Sequence, residues 1–177
     1  MSQQDEITQY EEGYKLRDLT EFLKARLGER ISKRLTAEMT NVQLILTPKN
    51  MGNQCMQLMI QRYTAELYIE RLPFQQYSPA ILFANVAAWL MDNDQDRDEQ
   101  LSDLGDPETD VNISDSDSAE VLIEIVFEEP VKVIEDPQGP IHWRGKQYRI
   151  EEYDIWTATK LRDVVILKDK VIGHAPS

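Results

Sequence analysis

The stretch AEVLIEIVFEEPVKVIED, from Ala119 to Asp136, decides the fold. Apolar and polar residues alternate along it, which is the period of a β-strand with one buried face and one polar face. The apolar side chains of the predicted buried face are Val121, Ile123, Ile125 and Phe127. Pro130, which has no backbone N–H, is expected to interrupt the strand before Val131 and Val133 resume the pattern.

Two more strands are predicted upstream of this stretch. VQLILTPK, from Val42 to Lys49, is a short apolar run that Pro48 ends, and a turn follows it. The residues from Gln54 to Leu72 alternate over most of their length, with a slip in the spacing near Gln61–Arg62. This pattern predicts a long strand with a bulge or a bend at the slip.

The remaining periodic segments predict two helices. The segment from Tyr14 to Ile31 carries apolar residues at helical spacing, with charged residues between them: Leu16, Leu19, Leu23, Leu27 and Ile31. The second helix starts with Ser78 as N-cap and Pro79 at its first position. Its apolar run, Ala80 to Met91, is too short to span a bilayer, and Asn85 is its one polar interior residue, so the helix is expected to be buried on most sides.

Near the C-terminus, IHWRGKQYRIEEYDIW (141–156) is typical of a hairpin whose turn is Arg144-Gly145-Lys146. LRDVVILKDKVI (161–172) predicts a last strand. The order of elements is helix, two strands, helix, polar loop and then strands alone. It predicts an α+β fold, in which two helices pack on a mostly antiparallel, mixed β-sheet.

The length of 177 residues predicts one domain with flexible additions. Its predicted parts are a flexible acidic leader (1–13), a single α+β domain (14–172) that contains an acidic loop (92–118), and a flexible tail (173–177). The leader lacks the basic start and apolar run of a secretory signal, so the protein is expected in the cytoplasm when it is made.

The acidic stretch Asp92–Asp117 holds eleven carboxylates and one arginine. It could be a metal-binding loop, an acidic surface that keeps a polyanion from sticking, or a solvated connector. Asp92–Asp103 matches an EF-hand loop only in part: Arg97 stands where glycine is needed, Glu99 where an apolar residue is usual, and Asp103 where a bidentate glutamate belongs. An acidic loop without a metal site is therefore predicted, and the net charge of −13 disfavours ordinary binding of nucleic acid.

Neither a catalytic site nor a cofactor site is predicted. The single cysteine, Cys55, has no basic neighbour and is expected to be a buried structural thiol. His142 is expected on the surface of the hairpin and His174 in the tail, and nothing pairs either one with a nucleophile.

The hairpin region also combines aromatic and basic residues, namely Trp143, Tyr148, Tyr153 and Trp156 around Arg144, Lys146 and Arg149. Such a set could stack on the bases of a single strand. Packing within the core and the hairpin is the preferred interpretation, because the surrounding charge is negative.

Three segments follow one another along the chain: RYTAELYIERL, PAILFANVAAWL and DVNISDSDSAEVLIEIVFEEPVKVIED. A strand is thus followed by a helix with an AWL core, a polar loop, and two strands. This order resembles the tail completion protein R family of contractile-tailed temperate phages, roughly from Leu16 to Asp136. The polar leader and the hairpin from Trp143 to Trp156 depart from the family pattern.

The resemblance implies a tail-terminator-like fold and a structural, non-catalytic role in virion assembly. Such a subunit would form a ring, sixfold, on the end of the tail tube, stop tube polymerisation and offer a surface to the head–tail connector or neck protein. DNA would pass through the ring without specific binding, and the acidic loop would lie at the ring surface or its lumen. The protein would stay in the host cytoplasm during assembly and then in the virion tail.

Other interpretations stay open at the level of sequence. A neck or head–tail adaptor protein of the same particle would share this size and charge. An acidic protein that mimics DNA and inhibits a nucleic-acid enzyme would bind a basic partner in a salt-sensitive way. The acidic loop could also be a connector with no role of its own.

Overall fold

The long strand from Ala119 to Glu135 is the one around which the sheet assembles. The computed structural model describes residues 14–94, 97 and 104–151. In chain order they form α1 (Tyr14–Ser32), β1 (Leu35–Gly52), β2 (Cys55–Leu72), α2 (Pro79–Asn93), β3 (Glu108–Ile113), β4 (Ala119–Glu135), β5 (Ile141–Trp143) and β6 (Lys146–Ile150). The predicted α+β class is confirmed, since two helices accompany a sheet in which every pairing between described strands is antiparallel.

The sheet has the strand order β1-β2-β4-β6-β5, and β3 also pairs with β4. On one side β4 pairs with β2 from end to end. On its other side it pairs with β3 at residues 119–124 and with β6 at residues 133–135. The backbone of residues 125–132 therefore has a described strand on one side only, and we call the open side of this segment the notch.

The predicted alternation in β4 is confirmed, because every second residue from Ala119 to Val133 is buried. The expected interruption at Pro130 is wrong: β4 continues through this residue, which pairs with Ile60. Successive residues of an antiparallel strand direct their N–H and C=O groups to alternate sides. The backbone of Pro130 faces the notch, as the carbonyls of Val126 and Glu128 do, and no described strand there needs its missing N–H.

The core lies between the helices and one face of β2 and β4. All five apolar residues predicted for the buried face of α1 are buried there. The prediction of an unbroken helix was incomplete, because Gly28 interrupts α1 with φ 78° and ψ 163°. That region of backbone space is open to glycine and costly for other residues.

β1 is longer than predicted. It starts at Leu35 instead of Val42 and continues through Pro48. A proline is tolerated here because β1 is an edge strand of the sheet. The predicted bulge at Gln61–Arg62 was misplaced. The register shift lies in the partner strand, where Asn41 and Val42 face the one residue Tyr63. In β2, full burial on alternate residues begins only at Tyr63. The slip in spacing marks the point where the β1–β2 hairpin extends beyond the core.

The prediction that α2 is buried on most sides is wrong. Its start is confirmed, with Ser78 at the N-cap and Pro79 in the first turn, although the Ser78 side chain makes no capping hydrogen bond. One face packs in the core through Leu82, Val86, Trp89 and Leu90. The opposite face is exposed, because no other described element covers it.

The C-terminal hairpin is confirmed, with a turn at Arg144 and Gly145, both at positive φ. Lys146, predicted in the turn, is already part of β6. The range 92–118 is not a loop throughout, because α2 runs on to Asn93 and β3 pairs with β4. The predicted leader (1–13), last strand (161–172) and tail (173–177) lie outside the described residues.

Candidate assembly surface

Two cations fill the notch in β4. The Lys15 ammonium donates to the Glu128 carbonyl oxygen at 2.9 Å, and the Arg97 guanidinium donates to that of Val126. Backbone carbonyls that no strand pairs need another donor when they are shielded from water. Lys15 and Arg97 thus supply donors to two of the carbonyls that β3 and β6 leave open.

Asp94 holds both cations in place. Its Oδ1 lies 2.8 Å from Lys15 Nζ, and its Oδ2 lies 3.0 Å from Arg97 Nε. The Asp94 side chain is fully buried. Arg97 also donates to the Gly105 carbonyl oxygen at 2.6 Å, and so ties the end of α2 to the segment that leads into β3. We call Lys15, Asp94 and Arg97 the notch cluster.

Beside this cluster, Glu129 accepts a hydrogen bond from the backbone at the start of α1. Its Oε1 accepts from the Tyr63 hydroxyl at 2.6 Å and from the backbone N–H of Lys15 at 2.7 Å. The Tyr63 hydroxyl in turn accepts from the Leu16 N–H at 3.3 Å. A carboxylate suits the unpaired N–H groups of a helix start. Burial nevertheless raises the pKa of Glu129, with the hydrogen bond from Tyr63 acting in the opposite direction.

These contacts show why the EF-hand register fails at two of its positions. Asp94, at loop position three, uses both carboxylate oxygens on protein cations. Arg97, the one arginine of the acidic stretch, is directed into the protein. Residues 95, 96 and 98–103 of that register lie outside the described part. Among the described residues, no group of three or more His, Cys, Asp or Glu side chains is placed to hold a metal ion.

The other end of the acidic stretch forms a tight turn. Asp115 Oδ1 accepts from the backbone N–H groups of Asp117 and Ser118, each at 2.8 Å. Arg71 Nη2 lies 3.5 Å from Asp115 Oδ2. The N–H of Asp117 and the other donors lower the pKa of Asp115. This aspartate orders its own backbone in the manner of an Asx-turn.

The basic and aromatic residues of the hairpin are engaged with one another and with carboxylates. Tyr148 is buried against Trp143, with ring centroids 5.7 Å apart. Lys146 lies 3.0 Å from Glu135, and Arg149 lies 3.8 Å from Asp136. Packing, the interpretation preferred from the sequence, accounts for the described part of this set; Tyr153 and Trp156 lie outside it.

The remaining residues singled out from the sequence are separate from each other. Cys55 is buried at the start of β2, and its thiol donates to Glu151 at 3.4 Å. Burial raises the pKa of this thiol, so it is poorly reactive. His142 is exposed in β5, as expected, while His174 lies outside the described residues.

The described surface carries several large apolar side chains. Those that are exposed lie on β1, β2, α2 and β3: Val42, Leu44, Ile45, Leu46, Met51, Tyr68, Ile81, Met91, Val111 and Ile113. This feature was not predicted from the sequence. The signal was present in the strand-like run VQLILT, but the sequence did not show which apolar faces stay uncovered. Exposed apolar patches mark interaction sites.

Residues 13–152 match the family model of the P2 phage tail completion protein R (GpR). The chain belongs to this family. The resemblance found in Leu16–Asp136 is thereby confirmed, and the match also covers residues 143–152 of the hairpin that was expected to depart from the family pattern. Members are structural proteins of the phage tail, so a structural role in tail completion follows.

A relative from Haemophilus phage HP1 (strain HP1c1) supports the phage origin of the family. It carries the description "Uncharacterized 19.2 kDa protein in rep-hol intergenic region" and is 28% identical over 148 residues, which are 84% of this chain and 87% of the relative. No solved structure is significantly similar to the chain. Neither described helix of this family member is long and apolar enough to cross a membrane.

Proposed function

We propose that this protein is the tail terminator of its phage or prophage. It caps the tail tube, ends tube polymerisation and provides the surface to which the head joins, without catalysing a reaction. Membership of the tail completion family over residues 13–152 is the observation that carries this proposal. A protein that completes a tail must stop a growing polymer and leave an end that another component recognises.

The subunits act as a closed ring of six, in line with the resemblance to tail-terminator proteins. Cyclic closure uses up the contacts between subunits, whereas an open helical arrangement would leave one contact free for further growth. The partners are other copies of the chain, the tail tube protein, and the head–tail connector or neck protein. The protein assembles in the host cytoplasm and remains in the virion tail.

The acidic character of the chain suits a ring through which DNA passes. The net charge is −13, and carboxylates at Asp106, Glu108 and Asp110 are exposed in β3 and just before it. Like charge keeps DNA phosphates from binding to a lining of this kind. We place the acidic segment at the ring surface or in the lumen, where DNA slides past it without specific binding.

Electron microscopy of particles from a phage or prophage with a stop codon in this reading frame tests the proposal. We expect overlong tail tubes, and finished heads that fail to join tails. The matched control supplies the wild-type chain from a plasmid and should restore joined virions.

The same images separate the alternative roles. Tails of normal length that fail to join heads would replace termination by a neck or adaptor role. Normal, joined virions would overturn the assembly role. They would favour an acidic inhibitor, for which capture of a basic partner that high salt releases is the next observation to seek.

A further inference from the structure

The distal half of the β1–β2 hairpin, residues 41–61, differs from the rest of the chain in charge. Charged residues make up 29% of the sequence, but Lys49 is the single charged residue among these 21. The segment also holds three of the six methionines. Depletion of charge and enrichment in methionine distinguish the centres of protein interfaces from ordinary surface. We call residues 41–61 the arm.

The arm extends beyond the part of the sheet that the helices cover. Past the bulge, Val42 to Leu46 are exposed on both faces of β1, and Met56 to Gln61 in β2 are never fully buried. Leu46 is 79% exposed. β4 pairs with the β2 half of the arm and fixes its backbone, but it does not cover the apolar side chains of β1. Such side chains gain free energy when another apolar surface removes them from water.

The bulge decides on which face of the arm Leu44 and Leu46 lie. Tyr63 points into the core, and Gln61 and Met59 lie on the same face of β2 by its alternation. Leu44 pairs with Gln61, and Leu46 pairs with Met59. The extra residue in β1 therefore brings Leu44 and Leu46 to the face that continues the core, at the point where the chain's own helices no longer cover it.

The same chain carries an uncovered helix face that could supply this layer. Up to Met91, the exposed residues of α2 are all apolar: Ala80, Ile81, Ala84, Ala87, Ala88 and Met91. Ala87 and Met91 also border a groove of about 320 Å³ between α2 and the segment that leads into β3. Helix on sheet is one of the standard ways of burying two such faces.

Charge favours the pairing of these two surfaces. The exposed Lys49 lies at the end of the arm. Exposed Asp92 lies at the C-terminal end of the α2 face, where the helix dipole adds negative potential, and Asp106 lines the groove. The one cation of the arm thus has acidic partners at its expected destination.

We infer that the arm of one copy docks on the outer face of α2 and the adjoining groove of a second copy. The contact is heterologous, because the arm of one copy meets a different surface, the α2 face, of its neighbour. Each copy can therefore give its arm to one neighbour and receive an arm from the other. This inference rests on the proposed ring, for which it names the surfaces in contact.

Sedimentation velocity of purified variants tests the docking. Leu46→Glu and Ala87→Glu each place a carboxylate in the contact, and we expect each to weaken self-association by about tenfold or more relative to the wild type. Gln43→Glu is the matched control, because it adds the same charge on the opposite face of the arm and should associate like the wild type. All three positions are exposed, so melting temperatures should be unchanged.

Mixing the two defective variants tests the direction of the contact. Leu46→Glu keeps an intact α2 face and Ala87→Glu keeps an intact arm, so the mixture should form dimers joined by one productive contact while neither variant forms larger species alone. Any of three outcomes would overturn the inference: Leu46→Glu associates like the wild type, the mixture stays monomeric, or the wild-type chain never self-associates.

Binding to purified tail tubes distinguishes docking between copies from docking of the arm on the tube. If Leu46→Glu associates with itself normally but no longer binds tubes, the arm contacts the tube and the docking between copies is refuted. The microscopy of stop-codon particles reports tail completion whichever surface is used. Failure of the docking and failure of the tail role are therefore distinguishable.

Discussion

Replacing Asp94 by asparagine tests the notch cluster most directly. The change keeps the size of the side chain and removes its charge. Lys15 and Arg97, with side chains 8% and 12% exposed, then face a neutral amide that offers one acceptor where two carboxylate oxygens had been. Two cations would remain close together and shielded from water, without the anion between them.

The expected cost follows from the burial of this cluster. Removing one partner from a buried ion pair costs about 3–5 kcal/mol, because the remaining charge is left uncompensated. For a chain of this size each kcal/mol lowers the melting temperature by about 2–4 °C, so the expected shift is about 6–20 °C. Lys15→Met should cost less than Asp94→Asn, since Asp94 keeps Arg97 as its partner.

Urea unfolding at neutral pH, followed by circular dichroism, measures this cost. Asp92→Asn is the matched control, with the same chemistry at an exposed position two residues earlier in α2, and should change the free energy of unfolding by no more than about 0.5 kcal/mol. If Asp94→Asn lies within about 1 kcal/mol of this control, with an unchanged dependence on urea, the cluster does not anchor α2 and the reasoning fails.

Three other changes test separate parts of the fold. The raised pKa of Glu129 makes a contribution to stability that is complete below its ordinary value of 4.5 and is lost as pH rises through the folded-state value. Glu129→Gln should therefore abolish this part of the pH dependence in urea titrations; equal slopes for variant and wild type would contradict it. Gly139→Ala should lower the free energy of unfolding by about 1–3 kcal/mol, because a Cβ there would lie 2.1 Å from the Tyr148 carbonyl oxygen, and an unchanged melting curve would refute that contact. The Cys55 thiol should react with an aromatic disulfide reagent far more slowly in the native chain than in urea, and full labelling on mixing would show that it is exposed.

Elements whose burial has a regular period were predictable. β4 shows the alternation of a half-buried strand, and the leucines of α1 recur at helical spacing, so both core faces were identified correctly. The hairpin turn was signalled by Gly145. In these cases local sequence is sufficient, because the same repeat places side chains on one side of an element whatever lies opposite it.

Elements whose environment depends on distant parts of the chain were not predictable. An all-apolar run indicates burial for α2, yet the described part of the chain covers only one of its faces. β3 was hidden by acidic residues, because all six of its side chains are exposed and the strand is held by backbone pairing with β4. The bulge affects the spacing of β2 but resides in β1, its neighbour.

The sequence by itself determined the α+β class, the core faces of β4 and α1, and membership of a tail completion family, because periodicity and the order of segments are local properties. Only the tertiary structure decided that Asp94 meets Lys15, 79 residues away, to complete an open stretch of β4. It also decided that no described element covers the distal part of the arm or the outer face of α2. Both outcomes depend on where the layers of the fold end, and no repeat within a single element carries that information.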